Sequence, residues 1–254
     1  MPDSATCEPP AIAPALAAGE AQVWTVPLGN AEGAGQRRLQ RCESVLSAVE
    51  RTRASRYGGL RREEFVIARA SLRWILARHL RTEAAAIEFS TSANGQPRLG
   101  RRGDLHFSVA HTAGLAVIAI SRDLEIGVDV EQIRAVAHPL AVARDFFPES
   151  EVDELRRAGR EAVARLFLLK WTRREALLKA WGASTEAWVA LQKFTFPPTA
   201  EAGHQIALRD SNVAGRAQEL LLDPGYVGAL ATRGAEFTMV GHPAVEFGSE
   251  GVTW

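Results

Sequence analysis

Hydrophobic and polar positions recur along this chain with two periods, one typical of helices and one typical of strands. Apolar residues spaced three and four positions apart predict helices, and these lie at 37–49, 62–80, 139–146 and 161–181. Short alternating or continuous apolar runs predict strands, and these lie at 21–28, 87–90, 105–109, 115–120, 126–131, 193–196, 204–208, 219–222 and 227–232. Each half of the chain has helices followed by strands, which predicts an α+β fold and permits two similar lobes.

Turn-forming residues separate these runs. Asp223-Pro224-Gly225 predicts a hairpin turn. A small-residue turn at 110–114 follows one strand, and its backbone amides could bind an anion beside His111. We expect the strands at 115–120 and 126–131 to form a hairpin, because only a tight, charged turn separates them.

The strand at 126–131 carries two carboxylates that point to the same face. Asp129 and Glu131 are two residues apart, so their side chains lie on one side of a strand, roughly 7 Å apart. Both could bind one cation, with water or phosphate oxygens completing its shell. A solvated strand face near a turn has the same spacing, so the strand alone leaves both interpretations open.

A second group of candidate residues lies on the helix at 161–181. Trp171, Glu175 and Lys179 are four residues apart and therefore share one face. A Glu and a Lys at this spacing usually form a surface pair. However, the first half of this helix is strongly apolar, which indicates packing between other elements, so the pair could instead face a cleft.

Composition and charge narrow the class of protein. The 254 residues are 46% hydrophobic and 24% charged, which is typical of a globular protein, and the net charge of zero gives no support for nucleic-acid binding. Residues 36–81 nevertheless hold twelve Arg and four Glu. This local excess suits a nucleotide or an acidic protein surface, or is simply a solvated helix face. The two cysteines form no disulfide or metal pattern, and no apolar run could cross a bilayer, so we expect a cytoplasmic protein without a membrane partner.

Several short motifs, in order along the chain, resemble those of the 4'-phosphopantetheinyl transferases. They are Gly95-Gln96-Pro97, FSVAH at 107–111, GVDVE at 127–131 and WTRREALLK at 171–179, with weaker similarity at 146–151 and 223–226. The resemblance covers residues 22–233 and is closest to the monomeric, two-lobed type that activates non-ribosomal peptide synthetases.

The resemblance implies a fold of two lobes related by a pseudo-two-fold axis, each with helices packed on a small antiparallel sheet. The N-terminal lobe would cover residues 21–123, and the C-terminal lobe at 124–242 would carry the metal site. Residues 1–20, rich in Ala and Pro, would form a disordered tail, and residues 243–254 would form a C-terminal tail.

The resemblance also implies a reaction. Coenzyme A would donate its 4'-phosphopantetheine arm to a serine of an apo acyl or peptidyl carrier protein, in secondary metabolite biosynthesis, and adenosine 3',5'-bisphosphate would leave. Mg²⁺ would be held by Asp129, Glu131 and Glu175. Glu175, Lys179 and Asp129 would be catalytic, with Glu175 as the base for the serine hydroxyl and Lys179 on the pyrophosphate.

The same resemblance implies contacts to coenzyme A. His111 would touch a phosphate, and Arg62 or Arg69 would bind the 3'-phosphate. The remaining contacts would come from Lys179, Gly95, Gln96 and Pro97.

Four features depart from the motifs of the family. Ala110 stands where a Ser is usual, Gln96 and Arg174 each replace a Lys, and 182–188 lacks a common Gly-Leu pattern. These departures keep two other functions open. One is a carrier-binding paralogue without transferase activity, and the other is a Mg²⁺-dependent hydrolase that acts on a pyrophosphate.

Overall fold

The fold is described from a computed structural model. The structure describes residues 15–29, 35–91, 95, 97–100, 105–182, 189, 196, 206–210, 213–234, 236–242, 245–247 and 252–253. The chain divides into two compact units. Unit 1 holds Val26–Glu88 with both chain ends, and unit 2 holds Leu16–Thr25 and Phe89–Pro243.

The described part of unit 1 contains three helices. They are α1 at Gly35–Ser44, α2 at Ala48–Ala54 and α3 at Gly59–Leu80, followed by a 3-10 turn at Ala84–Ala86 and, near the chain end, a short hairpin of β11 (Glu246–Phe247) and β12 (Val252–Thr253). The long helix α3 confirms the prediction for 62–80.

The single helix predicted at 37–49 is wrong, because a new helix begins inside this segment. Ser47 and Glu50 form a capping box in which each side chain binds the backbone amide of the other, and this starts α2. Val49, an apolar residue at the end of the predicted helix, is 80% exposed, whereas Leu46 is buried.

In the described part of unit 2, the strands are β1 (Glu20–Pro27), β2 (Phe89–Thr91), β3 (Pro97–Leu99), β4 (His106–Thr112), β5 (Leu115–Ser121), β6 (Ile126–Gln132), β7 (Ile206–Asp210), β8 (Val213–Glu219), β9 (Tyr226–Arg233) and β10 (Thr238–His242). Eight of them form two four-stranded sheets. The first has the order β10-β1-β5-β4, and the second has the order β6-β9-β8-β7. The strands β2 and β3 form a separate hairpin. The mixed α+β class is therefore confirmed.

One predicted connection and one predicted strand differ from the structure. The strands β5 and β6 do not form a hairpin with each other, because β5 pairs with β4 and β1 while β6 pairs with β9. The strand predicted at 219–222 is also wrong in its bounds, since β8 ends at Glu219. The hairpin turn at Asp223-Pro224-Gly225 is confirmed by the antiparallel pairing of β8 and β9 on either side of it.

Unit 2 also contains the helices α4 (Pro139–Phe146), α5 (Glu149–Arg157) and α6 (Gly159–Ala180). The last of these packs on the second sheet, and Gly127 explains how closely it packs. A Cβ atom at Gly127 would lie 2.0 Å from the Ala176 carbonyl oxygen and 2.5 Å from the Ala180 nitrogen, so only glycine lets the α6 backbone lie directly on β6.

The strands β4 and β6 run side by side in the same direction. The Val128 amide donates to the Ser108 hydroxyl at 3.0 Å, and four residues further along the Gln132 amide donates to the Thr112 hydroxyl at 3.2 Å. Side-chain hydroxyls thus join two strands that belong to different sheets.

The predicted tails and lobes have different outcomes. Residues 1–14 of the predicted tail lie outside the described part, while Leu16 is buried and the Gly19 amide donates to Asp123 at 3.0 Å. The predicted C-terminal tail contains β11 and β12. The packing groups Phe89–Pro243 in one unit, whereas the prediction divides the lobes at 123/124. The lobe bounds and the pseudo-two-fold axis stay predictions.

Across the described residues, no helix has both the length and the apolar character needed to span a bilayer.

Candidate active site

The candidate site lies where the end of β6 faces the last two turns of α6. The side chains of Val128 and Val130 enter the core between the sheets. Gly127 faces α6, so Asp129 and Glu131 share this helix-facing side of the strand. The alternation of polar and apolar residues in β6 is therefore as the sequence predicts, and α6 covers the polar side.

Lys179 joins the two elements. Its amine donates to Asp129 Oδ1 at 2.8 Å and to the Val128 carbonyl oxygen at 3.0 Å. Asp129 is only 9% exposed, and this burial raises the pKa of its carboxyl while the charge of Lys179 opposes the rise. Asp129, a predicted metal ligand, is therefore buried in an ion pair with Lys179.

Glu175 and Glu131 complete a concentration of negative charge. Burial, followed by the charges of Asp129 and Glu131, raises the pKa of Glu175, and Lys179 lowers it. Burial and then Asp129 likewise raise the pKa of Glu131. The three carboxylates therefore repel one another, and among the described residues Lys179 is the cation that acts on all three.

The predicted metal ligands lie near one another but are not arranged as a finished site. Among the residues that the structure describes, no group of three His, Cys, Asp or Glu side chains is placed to hold a metal ion. The chemistry of the donors still fits a hard divalent cation, because carboxylate oxygens are its preferred ligands and their mutual repulsion would be relieved by positive charge.

Thr112 is a site residue that the sequence did not point to. Its hydroxyl accepts from the Gln132 amide and donates to Glu131 Oε2 at 3.5 Å, so it orients one carboxylate from the neighbouring strand. In the sequence, Thr112 is marked only by its position directly after His111, the last residue of the FSVAH motif.

His111 lies in a strand and not in a turn, which corrects the prediction. It belongs to β4, is exposed, and pairs with Ala116 of β5, so the turn of this hairpin consists of Ala113 and Gly114. The strand continued past Val109 because its backbone has a full ladder of partners in β5.

The predicted coenzyme A contacts are divided between the two units. Gly95 is described with φ +77°, and Gln96 lies outside the described residues. Pro97 and Lys179 both line a cavity of about 310 Å³ in unit 2, together with Arg98, Phe107, Trp181 and Arg233.

The two arginines predicted to bind the 3'-phosphate lie in unit 1, and each has an ion pair there. Arg62 pairs with Glu43, and Arg69 Nε lies 3.5 Å from Glu50 Oε1. Burial lowers the pKa of Arg69 while Glu50 raises it. Their contact with a phosphate stays a prediction.

Arg174 has a structural environment that the sequence did not reveal. It is 1% exposed and binds both carboxylate oxygens of Glu151, at 3.0 and 3.1 Å. Arg174 directly precedes Glu175 in the sequence, but its charge is paired with Glu151 in the protein interior and not with a carboxylate of the candidate site.

Comparisons with known proteins bear on the same segment. A family model described as the 4'-phosphopantetheinyl transferase superfamily matches residues 125–231, which include β6 and α6. The chain is 31% identical over 223 residues to the 4'-phosphopantetheinyl transferase HetI of Nostoc sp. (strain PCC 7120 / SAG 25.82 / UTEX 2576), covering 86% of this chain and 90% of that protein. It is 27% identical over 205 residues to the 4'-phosphopantetheinyl transferase psf-1 of Bacillus pumilus, covering 78% and 83%. It is also 29% identical over 118 residues to the 4'-phosphopantetheinyl transferase AcpT of Escherichia coli (strain K12), covering 46% and 60%.

Proposed function

The chain belongs to the 4'-phosphopantetheinyl transferase superfamily, and from this premise we propose that it moves the phosphopantetheine arm of coenzyme A to a serine of an apo acyl or peptidyl carrier protein. The observation that carries the proposal is the contact of Lys179 with Asp129 beside Glu175, inside the segment that the family model matches. A cytoplasmic monomer that serves secondary metabolite biosynthesis is part of the same proposal.

The reaction forms one bond and breaks one. The serine oxygen binds the phosphorus that carries pantetheine, the bond from that phosphorus to the bridging oxygen breaks, and adenosine 3',5'-bisphosphate leaves. Glu175 takes the serine proton. Burial and neighbouring carboxylates raise the pKa of Glu175 towards neutrality, which improves a carboxylate as a base at physiological pH.

Lys179 stabilises the phosphate charge in this proposal. Two of its three ammonium hydrogens are engaged by Asp129 and the Val128 carbonyl, which fixes the direction of the side chain. The third is available for a phosphate oxygen. His111, Arg62, Arg69 and the loop at 95–97 are proposed as further coenzyme A contacts.

The carboxylates Asp129, Glu131 and Glu175 would hold Mg²⁺. Their oxygen donors suit this cation. Burial raises the pKa of all three side chains, and the charge of Asp129 raises the pKa of Glu131 and Glu175 further, which supports a need for a counter-charge. When bound, Mg²⁺ supplies neutralisation of the pyrophosphate charge.

The test is incubation of the protein with coenzyme A, MgCl₂ and a panel of apo carrier proteins of the fatty-acid, polyketide and non-ribosomal peptide classes. We expect a phosphopantetheine mass increase on at least one carrier, absent from a carrier whose acceptor serine is replaced by alanine. The absence of any mass increase across the panel contradicts the proposal.

A carrier-binding protein without transferase activity is the second candidate. The departures of Ala110, Gln96 and residues 182–188 from the family motifs favour it. It predicts carrier binding that is unchanged by Glu175→Ala, and no affinity for coenzyme A. A hydrolase would instead release adenosine 3',5'-bisphosphate when no carrier is present.

A further inference from the structure

A buried cluster of charges joins α5 to α6 on the side of α6 that does not hold the candidate site. Glu151 of α5 is fully buried and binds Arg174 through two hydrogen bonds, and the Lys170 amine lies 3.4 Å from the same carboxylate. Lys170 also pairs with Glu154 at 2.8 Å. We call these four residues the α5–α6 charge cluster, and its two positive and two negative charges balance.

We propose that Glu151 is a positioning residue for phosphopantetheinyl transfer. It acts through Arg174 to fix the rotation of α6, and this rotation directs Glu175 towards Asp129. The inference rests on the proposed function, because the carboxylate that it positions is the proposed base.

The charges around Arg174 and Glu175 explain why the rotation matters. Consecutive residues of a helix point about 100° apart. Arg174 interacts electrostatically with Glu151 and Arg173, whereas Glu175 interacts with Asp129, Lys179 and Glu131. The helix thus separates two charged groups. Glu151 binds Arg174, the cation that directly precedes the proposed base in the sequence.

Glu151 holds more than one element in place. Its Oε1 accepts from the Phe196 amide at 2.8 Å, and the Arg174 guanidinium lies 4.3 Å from the Phe147 ring and 4.7 Å from the Phe196 ring. A buried guanidinium that loses its carboxylate must find another anion or water, which costs far more than a surface pair. We expect the C-terminal half of α6 to turn or shift in response.

A shift of α6 would reach the candidate site without being absorbed. The backbone of α6 lies directly on Gly127, so the helix and β6 have no flexible side chain between them at this point. A movement of the helix therefore changes the distances from Glu175 and Lys179 to Asp129. Misplacement of a reacting group by about 1 Å costs up to roughly 100-fold in rate.

The test compares Glu151→Gln with wild type in the transfer assay. Glutamine keeps the shape and an acceptor for the Phe196 amide but removes the charge that holds Arg174. We expect kcat to fall on the order of 10- to 100-fold, while KM for coenzyme A changes much less. A wild-type kcat per folded molecule, with only a lower Tm, would overturn the inference.

The matched control is Glu154→Gln, which makes the same chemical change on the same helix. Glu154 contacts Lys170 at 2.8 Å, and no contact joins it to Arg174 among those of the described residues. We expect a lower Tm and a kcat close to wild type. An equal loss of kcat in both variants would mean that the effect does not depend on the contact of Glu151 with Arg174, and would overturn the inference.

A double-mutant cycle tests whether Glu151 acts through Arg174. If it does, Glu151→Gln in a background of Arg174→Met causes no further loss of kcat, because the two residues act as a unit. Additive losses contradict the proposed route. If Glu151→Gln does not fold, Glu151→Asp keeps the charge and shortens the reach, and a folded Glu151→Asp protein with wild-type kcat overturns the inference.

Failure of the proposed function can be told apart from failure of this inference. Transfer by the wild-type protein tests the function alone. Crystal structures of wild type and Glu151→Gln test the positioning even if no carrier is modified. The expected result is a displaced Glu175 carboxylate relative to Asp129, and an unchanged position overturns the inference.

Discussion

At the scale of single residues, Asp129 combines burial with a direct contact to a cation. The carboxylate that the sequence identifies as a ligand is held by Lys179 before any phosphate arrives. This arrangement orients both groups in advance, which is how enzymes lower the cost of stabilising charge during a reaction. The pair is therefore part of the site and also part of the packing between β6 and α6.

Asp129→Asn is expected to lower the transfer rate by about 100-fold or more, since it removes a charge that holds Lys179 in place and a ligand oxygen for the cation. Asparagine has the same shape, so we expect the circular dichroism spectrum to be preserved. The rate of carrier modification measures the effect. The control is Asp153→Asn, an exposed residue of α5, and a comparable loss there would show that the effect is not specific to the site.

Glu175→Gln is expected to stabilise the metal-free protein at neutral pH. The folded-state pKa of Glu175 is raised above its unfolded value of about 4.3. A carboxyl shifted in this direction contributes stability below that unfolded value and loses it as the pH rises through the folded pKa.

Urea unfolding in EDTA, between about pH 5 and 7.5, measures this effect. We expect the variant to exceed wild type in free energy of unfolding at the upper end, with a difference that shrinks as the pH falls. A variant that is less stable than wild type by the same amount throughout contradicts the prediction.

At the scale of elements, the close contact of α6 with β6 depends on one missing side chain. Gly127→Ala would bring a Cβ atom within 2.8 Å of three α6 atoms, two of them in the backbone. Backbone atoms cannot rotate away, so we expect a loss of about 3 kcal/mol in stability and a transfer rate that falls per folded molecule.

Thermal unfolding and the transfer assay measure these two effects. Gly241→Ala is the matched control, because it also lies in a strand and its new Cβ atom would meet no atom within 4 Å. If Gly127→Ala were as stable as this control, the result would contradict the direct contact of the α6 backbone with β6.

The sequence predicts elements better than it predicts their partners. Periodicity identified α3, α6 and β6, and the turn residues identified the hairpin turn at 223–225, because these signals are local. It failed for the pairing of β5 with β6, since strand partners depend on contacts between distant parts of the chain. Glu151 and Arg174 look like ordinary surface charges in sequence, and only the packing of α5 on α6 reveals that they are a buried pair.

At the scale of the whole molecule, charge is distributed unevenly although the total is zero. The structure refines the basic segment at 36–81. Arg73 is buried against Glu50, and Arg62 and Arg69 are paired within unit 1. Six of the twelve arginines are exposed, and these are Arg37, Arg51, Arg53, Arg56, Arg61 and Arg81. Half of the arginines of this segment therefore face the solvent.

Parallel pairing between β1 and β10 shows a second limit of prediction from the sequence. Glu20 lies opposite Thr238, more than two hundred residues further along the chain. No local pattern predicts such a contact, and no strand was predicted at the position of β10. The division of the chain into units follows from such long-range pairs, which is why the lobe bounds could not be drawn from composition and periodicity alone.

If the carrier protein presents an acidic surface, the exposed arginines of unit 1 should steer its approach. Raising NaCl from about 0.01 M to 0.3 M is then expected to increase KM for the carrier by roughly tenfold and to leave kcat nearly constant. Salt screens the electrostatic attraction that brings the two proteins together, and it affects the chemical step much less. Steady-state transfer kinetics at several salt concentrations measure both parameters.

The double variant Arg53→Gln, Arg56→Gln should weaken the salt dependence of KM, whereas Arg165→Gln, an exposed residue of α6, should not. A KM that is indifferent to salt would mean that the basic segment takes no part in carrier approach, and its exposed arginines would then be no more than a solvated helix surface.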